Sequence, residues 1–404
     1  MITVVGIPGH RRVELFRAAA VAAGLPEPAV VGWRDVCAGR FDLAPGSLVR
    51  LESPGEDAEV DRLFRGAGRF EAAPGSMGGD AGVDRLFRGA GRFEAAPGSM
   101  GGDAEVDRLV PGSLSEGVGA ERPFRGADRV AEHGEIVGLA AWYAGFMAAA
   151  RRVERAATGP LTTPVDELAV LFDKRRCHAL LGARGVPVPD GFSARSYEEV
   201  RAAGRPRVFV KPAHGSSASG VVALAFNKGR VSAYTSAALD GGKLYNELRV
   251  HHYTDERTVA AIVDRLGADG LHVERWFPKA AYAGKVFDLR VVVIAGRAGH
   301  VVARTSRTPL TNLHLGNARG DLAGIRAAAG EERWAAAMAT CERAAACFPG
   351  SLHVGVDLMF AAGYGEHAVA EVNAFGDLLP NLLVDGRDTY AAEIAALQHW
   401  TVAA

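Results

Sequence analysis

Short apolar runs alternate with amphipathic stretches at the start of the chain. Ile2 to Ile7 reads as a buried strand, Pro8-Gly9-His10 as a turn, and Val13 to Ala23 as a helix closed by Gly24 in the manner of a C-terminal cap. Further apolar segments at Ala29 to Trp33 and Ser47 to Leu51 continue the alternation. Strand and helix in turn predict a parallel α/β unit over residues 1–55.

The pattern then breaks. Asp57 to Gly79 recurs as Asp80 to Gly102 with Glu59 replaced by Gly82, and Asp103 to Leu109 begins a third copy, a period of 23 residues. Each copy is rich in Gly and Arg and ends in Pro-Gly-Ser-Met-Gly-Gly, with no continuous apolar face of the kind stacked repeats need. Residues 56–127 are therefore expected to be a low-order, recently expanded insertion. A basic arm using Arg62, Arg65, Arg69 and their copies on a partner is the functional alternative. A helical run from Ile136 to Arg155 follows, placing residues 128–160 with the first unit, and Thr158-Gly159-Pro160 marks a boundary to a second domain over 161–404.

Chemistry concentrates in that second part. Asp173 precedes Lys174-Arg175-Arg176 as a helix N-cap, and a lysine in the first turn opposes the helix dipole unless an anion joins it. A solvated surface lysine is the plainer reading. Val208-Phe209-Val210-Lys211 is a strand leading into Gly215-Ser216-Ser217-Ala218-Ser219-Gly220, small residues whose backbone N–H groups can approach phosphate oxygens closely, or a mere turn. Leu271 to Pro278 and Phe287 to Ile294 read as two more strands, the latter with Asp288 and Arg290 on one face. A turn at Ala295 to Gly299 returns the chain, so that Arg290 and Arg304 can reach one site, either for a multiply charged phosphate or in ion pairs with Asp288. Last, the strands ending at Asp357 and at Glu371-Val372-Asn373 offer hard oxygen donors without sulfur, which suits Mg²⁺, with Mn²⁺ also acceptable.

Composition narrows the classes. With 46 basic and 47 acidic residues the net charge is -1, which gives no basic excess for nucleic acid. The longest apolar run, Ile136 to Ala150, falls short of the roughly 20 residues a membrane helix needs. Four scattered cysteines without metal-ligand spacing, and no export signal at Met1, suggest a cytoplasmic protein with reduced thiols.

Taken in order, these segments resemble the ATP-grasp superfamily, most closely the glutathione-synthetase-like group that includes ribosomal-protein glutamate ligases, over about Leu161 to Trp400. The resemblance implies an N-terminal parallel α/β domain followed by an ATP-grasp domain of two α+β subdomains, the lid being about residues 173–272. It further implies that Lys174 and Lys211 contact ATP phosphates beneath a loop of Gly215, Ser216, Ser217, Ser219 and Gly220. Glu274, Arg275, Trp276 and Phe277 would form the adenine hinge. Arg290 and Arg304 would stabilise the transferred phosphoryl group, with Asn312 near the acceptor, and Asp357, Glu371 and Asn373 would bind magnesium. Two departures stand out: Pro278-Lys279-Ala280-Ala281 lacks the acid that relatives use for ribose, and Ala374-Phe375-Gly376-Asp377 replaces their usual Pro-Gly turn. The implied activity joins a small-molecule carboxylate to an amine or thiol, or modifies a peptide acceptor. A fold retained for nucleotide binding without catalysis is the alternative.

Overall fold

The computed structural model describes residues 1–55, 57–66, 131–132, 134–215 and 219–400. Most of the 23-residue repeats, with the reading of low order placed on them, therefore lie outside the described residues, as do Ser216 and Ser217.

The opening alternation builds a three-stranded parallel sheet in the order β2-β1-β3, with β1 at Ile2–Gly6, β2 at Ala29–Gly32 and β3 at Leu48–Leu51. Strand β1 is buried along its whole length because helices cover both faces of the sheet. Helix α1 (Arg11–Ala22) packs against the C-terminal helix Thr389–Leu397 through Phe16 and Tyr390, whose rings meet edge-on at 6.3 Å. On the other side α2 (Trp33–Ala38), α3 (Ala58–Gly66) and α4 (Leu139–Ala156) gather Trp33, Phe64, Trp142 and Phe146. Close approach of α3 to α4 depends on Gly145, where a Cβ would lie 2.1 Å from the Phe64 carbonyl oxygen.

The expected helix from Ile136 begins at Leu139. Residues 134–136 instead run beside an edge strand of a second sheet, Ile136 N–H donating to Leu244 O at 2.7 Å and Asn246 N–H to Gly134 O at 2.7 Å. Ile136 also joins that sheet's apolar core, so its burial is satisfied by a neighbour distant in sequence.

Beyond α4, residues 160–162 pair with β3, and α5 (Val165–Leu171) and α6 (Lys174–Ala183) follow. Helix α6 joins the central core through Cys177, Leu180 and Leu181, while His178 on its other side meets His272 of the second sheet with ring centres 4.6 Å apart. That sheet is antiparallel, in the order β4-β9-β5-β6-β7-β8: β4 Gly191–Ala194, β5 Arg207–Pro212, β6 Val222–Asn227, β7 Arg230–Asp240, β8 Lys243–Tyr253 and β9 Leu271–Arg275. Helices α7 (Tyr197–Ala202) and α8 (Glu256–Gly267) cover one face, burying Val200, Val259, Ile262 and Val263 on Val208, Val210 and Leu224.

The third sheet is also antiparallel, in the order β13-β12-β11-β14-β15 with β10 (Ala281–Tyr282) added to β11 (Lys285–Ile294). Its other strands are β12 (Arg297–Ser306), β13 (Ala318–Arg319), β14 (His353–Phe360) and β15 (His367–Asn373). Helices α9 (Leu322–Ala329) and α10 (Glu331–Ala345) pack on one face, and α11, the Thr389–Leu397 helix, reaches the other through Ala392 and Ala396. One apolar cluster runs from Val5 and Trp33 to Val356 and Phe360, so the first and third sheets share a core.

A fully buried ionic cluster pins this junction. Arg50 on β3 donates to Glu52 at 2.7 Å, to Asp377 at 2.5 Å and to Glu393 on α11, while its guanidinium lies 4.4 Å from the Phe16 ring centre. Arg12 of α1 reaches Asp377 at 2.5 Å and the Phe375 carbonyl at 2.9 Å. His353, 1% exposed, lies beside both Asp377 and Glu393. Burial holds the His353 imidazole down at about 4, despite the pull of Asp377, and pushes the Glu393 carboxyl far up towards its neutral form.

Candidate functional site

A cleft of about 810 Å³, counting its open mouth, lies between the second and third sheets. Strand β5 places Phe209 and Lys211 on one face, and antiparallel pairing with β9 sets Phe209 opposite Glu274. Lys211 Nζ donates to Glu274 Oε1 at 2.6 Å and to the Ala370 carbonyl at 3.1 Å. Burial alone would raise the Glu274 carboxyl, yet Lys211 and His272 outweigh it and hold the group at about 2. Lys211 is correspondingly raised, its carboxylate neighbours overriding its own burial.

Lys174 enters from the first turn of α6, capped as expected by Asp173, which accepts from Arg175 N–H at 3.0 Å. Its ammonium donates to Gly215 O at 2.7 Å and lies 2.9 Å from Glu371 Oε1. The opposing anion that the dipole argument calls for is thus a side chain of this same protein, Glu371.

The register of the third sheet assembles the opposite wall. Asp357 on β14 pairs with Glu371 on β15, and Arg290 on β11 pairs with Asp357. Arg290 Nε approaches Asp357 Oδ1 at 2.6 Å, and Arg304 Nη2 approaches Asp357 Oδ2 at 3.1 Å. Arg304 Nε also donates to Asp288 Oδ1 at 2.7 Å. The ion-pair reading is what the geometry shows: the two arginines converge on Asp357, and Arg304 also pairs with Asp288. Burial would raise the Asp288 carboxyl, but Arg304 and Lys279 pull it well below the usual carboxylate range.

The expected residues fall into three groups. Lys174, Lys211, Gly215, Ser219, Glu274, Arg275, Phe277, Arg304, Asn312, Asp357 and Glu371 line the cleft. Arg290 stands behind Asp357, and Asn373 is one pleat beyond Glu371, its Nδ2 on Gly355 O at 3.3 Å. Trp276 is turned aside, with its ring against Phe209 in a small cluster with Leu310 and Leu315, and Gly220 packs on Leu266 and Pro212 outside the cleft. Asn312 caps a short helical turn at Leu313–Leu315 by accepting from His314 N–H at 3.0 Å.

Sequence reasoning passed over Lys279 and Thr311. Lys279 is a buried ammonium in the cleft wall, donating to Thr311 Oγ1 at 2.8 Å and to Pro309 O at 3.2 Å, and burial lowers its pKa. Its position just past Phe277 was the available signal. Phe209, Phe277, Met359 and Leu310 also line the cleft and give it an apolar patch beside these charged groups.

Asp357, Glu371 and Asn373 offer oxygen donors with no sulfur or imidazole among them, a set that fits a hard divalent cation. A second grouping, His178, His272 and Glu274, is bound up otherwise: His272 contacts Glu274 at 3.1 Å, His178 contacts Pro189 O at 2.6 Å, and Glu274 carries Lys211. Among the described residues no helix is long and apolar enough to cross a membrane.

No family model and no curated protein matches the chain. Solved structures do. The D-cycloserine synthetase DcsG is 15% identical, with a TM-score of 0.51 over 98% of this chain and 99% of that one. The ATP-grasp ligase PsnB, complexed with a phosphomimetic variant of its minimal precursor, Mg and ADP, is 17% identical, with a TM-score of 0.48 over 98% of each chain. The D-alanine–D-alanine ligase from Bacillus anthracis, complexed with ATP, is 12% identical, with a TM-score of 0.44 over 98% of this chain and 96% of that one. A parallel N-terminal sheet leading to two antiparallel sheets with a charged cleft between them is the ATP-grasp fold, and this chain has it.

Proposed function

We propose that the protein is an ATP-dependent ligase that activates a carboxylate as its acyl-phosphate and transfers the acyl group to an amine, a thiol being the less expected acceptor. The observation that carries this reading is the convergence, from four separate stretches of chain, of Lys174, Lys211, Arg304 and the Asp357–Glu371 pair on one cleft that also has apolar lining.

In this reading the adenine lies on the apolar patch of Phe209, Phe277 and Met359, against the backbone of Arg275 to Phe277. Lys174 and Lys211 hold the phosphates, with Glu274 fixing the Lys211 ammonium in place. Asp357, Glu371 and Asn373 would hold Mg²⁺, which when bound neutralises charge across the phosphate oxygens. A substrate carboxylate oxygen attacks the γ-phosphorus and ADP leaves. The amine then attacks the acyl carbon, loses a proton, and inorganic phosphate departs. Arg304, oriented by Asp288, and Arg290, behind Asp357, stabilise the negative charge moving through the cleft. The chain needs no side-chain nucleophile for either step. Its acceleration comes from positioning and preset charge.

Thermal unfolding with and without Mg-ATP, followed by ADP release across pooled carboxylates, amines and peptides, tests the proposal. A rise in unfolding temperature with substrate-stimulated ADP release supports it. No stabilisation at millimolar Mg-ATP would refute it. Stabilisation without turnover favours the non-catalytic nucleotide-binding module, to which the absence of an acid after the hinge also points.

A further inference from the structure

The cations of the cleft are neutralised from within. Lys211 sits on Glu274, Arg304 on Asp288 and Asp357, and Lys174 on Glu371. A polyphosphate arriving here meets ammonium groups that already have partners. Which of those partners can let go decides how the site fills.

Three of the four carboxylates are fixed. Glu274 is 6% exposed and shared with His272, Asp288 is 6% exposed and carries Arg304, Lys279 and Thr311, and Asp357 is gripped by two guanidinium groups. Glu371 differs on every count. Its side chain is 29% exposed, and Lys174 is its one ion-pair partner among the described residues. It also stands in register with Asp357, within the oxygen-donor set.

We propose that Glu371 exchanges partners: it holds Lys174 before nucleotide binds and gives it up to the phosphates only as a divalent cation takes the ammonium's place. This rests on the nucleotide-binding reading above and adds an order to it. Phosphate binding alone takes Lys174 away and leaves Glu371 facing a polyanion beside Asp357, a like-charge arrangement that opposes binding. A divalent cation alone must displace an ammonium already in contact with the same oxygen. Arriving together, each relieves the cost of the other, and linkage makes the coupling reciprocal. Lys174 also carries the Gly215 carbonyl, so the exchange reaches the start of the glycine- and serine-rich loop.

The full chain and two variants separate the possibilities by calorimetric titration with a non-hydrolysable ATP analogue, in EDTA and in magnesium. Glu371→Gln keeps the side chain's size and frees Lys174. It should bind the metal-free analogue about three- to five-fold more tightly than the parent, the scale of one part-exposed ion pair, while magnesium ceases to improve its affinity. Lys174→Met should bind the analogue more weakly in both buffers and bind Mn²⁺ alone more tightly, read by the loss of the free-ion paramagnetic signal. A purely structural Glu371 would weaken binding in both buffers. That result, or an unchanged metal-free affinity in Glu371→Gln beside a parent that binds the magnesium form, overturns the exchange. A parent that binds neither form removes the nucleotide reading itself, and the exchange with it.

Discussion

Replacing Asp377 with asparagine keeps the shape of the side chain and removes its charge at the most heavily used point of the buried ionic cluster. Asp377 is wholly buried and receives Arg12 at 2.5 Å and Arg50 at 2.5 Å, with His353 at 3.4 Å. Arg50 keeps Glu52 and Glu393 after the change, whereas among the described residues Arg12 keeps the Phe375 carbonyl and a more distant attraction to Glu52. Breaking a buried pair by neutralising one member costs about 3–5 kcal/mol, since the cation left behind stays desolvated. Against a total stability of roughly 5–15 kcal/mol that is a large fraction. Urea unfolding followed by tryptophan fluorescence reports both ends of the shared core, through Trp33 and Trp334. The midpoint should fall with the slope unchanged. A loss below about 1 kcal/mol would refute the assignment of this cluster as the pin between the first and third sheets.

Three further outcomes are expected. Gly376→Ala puts a Cβ 2.5 Å from the Gly355 Cα and 2.7 Å from an Arg290 nitrogen, so it should displace Arg290 from Asp357 and cut the proposed ligase turnover by about 100-fold, the scale of a 1 Å misplacement; near-parental turnover would place Arg290 outside the chemistry. Because the folded His353 pKa of about 4 lies below its ordinary 6.5, the folded state binds fewer protons between those values, and stability falls as pH drops through that window. His353→Gln should flatten that part of the denaturation profile, and an unchanged slope would exclude His353 as its source. Lys211→Met should abolish the rise in unfolding temperature with Mg-ATP and also lower the baseline temperature, as Glu274 loses its buried partner; a retained nucleotide response would contradict the phosphate role.

What could be read from sequence was what local pattern and short spacing encode. The β1–α1 opening, the Asp173 cap and the strands carrying Lys211, Arg304, Asp357 and Glu371 each announce themselves within a dozen residues. Register was not legible. That Glu371 faces Asp357, or that Trp276 turns to Phe209 and away from the cleft, depends on strand pairings set by the whole sheet. Arg50 lies inside the apolar run Ser47 to Leu51, and no local pattern could show its role because its partners Asp377 and Glu393 lie more than three hundred residues away. Lys279 was read only as an acid that was missing, although a buried lysine in that position is itself a structural statement.

The strip at residues 134–136 bears on how this chain could lengthen without harm. It closes part of the β8 edge with main-chain bonds, while α3 is clamped at the far end of the gap by Gly145 and Phe64. By chain-closure entropy, one more 23-residue copy between residues 66 and 134 costs about 0.3 kcal/mol, far below what a core substitution costs. Slippage of a repetitive gene segment at this position would therefore pass almost unnoticed by selection on folding, and near-identical copies are the record such tolerated slippage leaves.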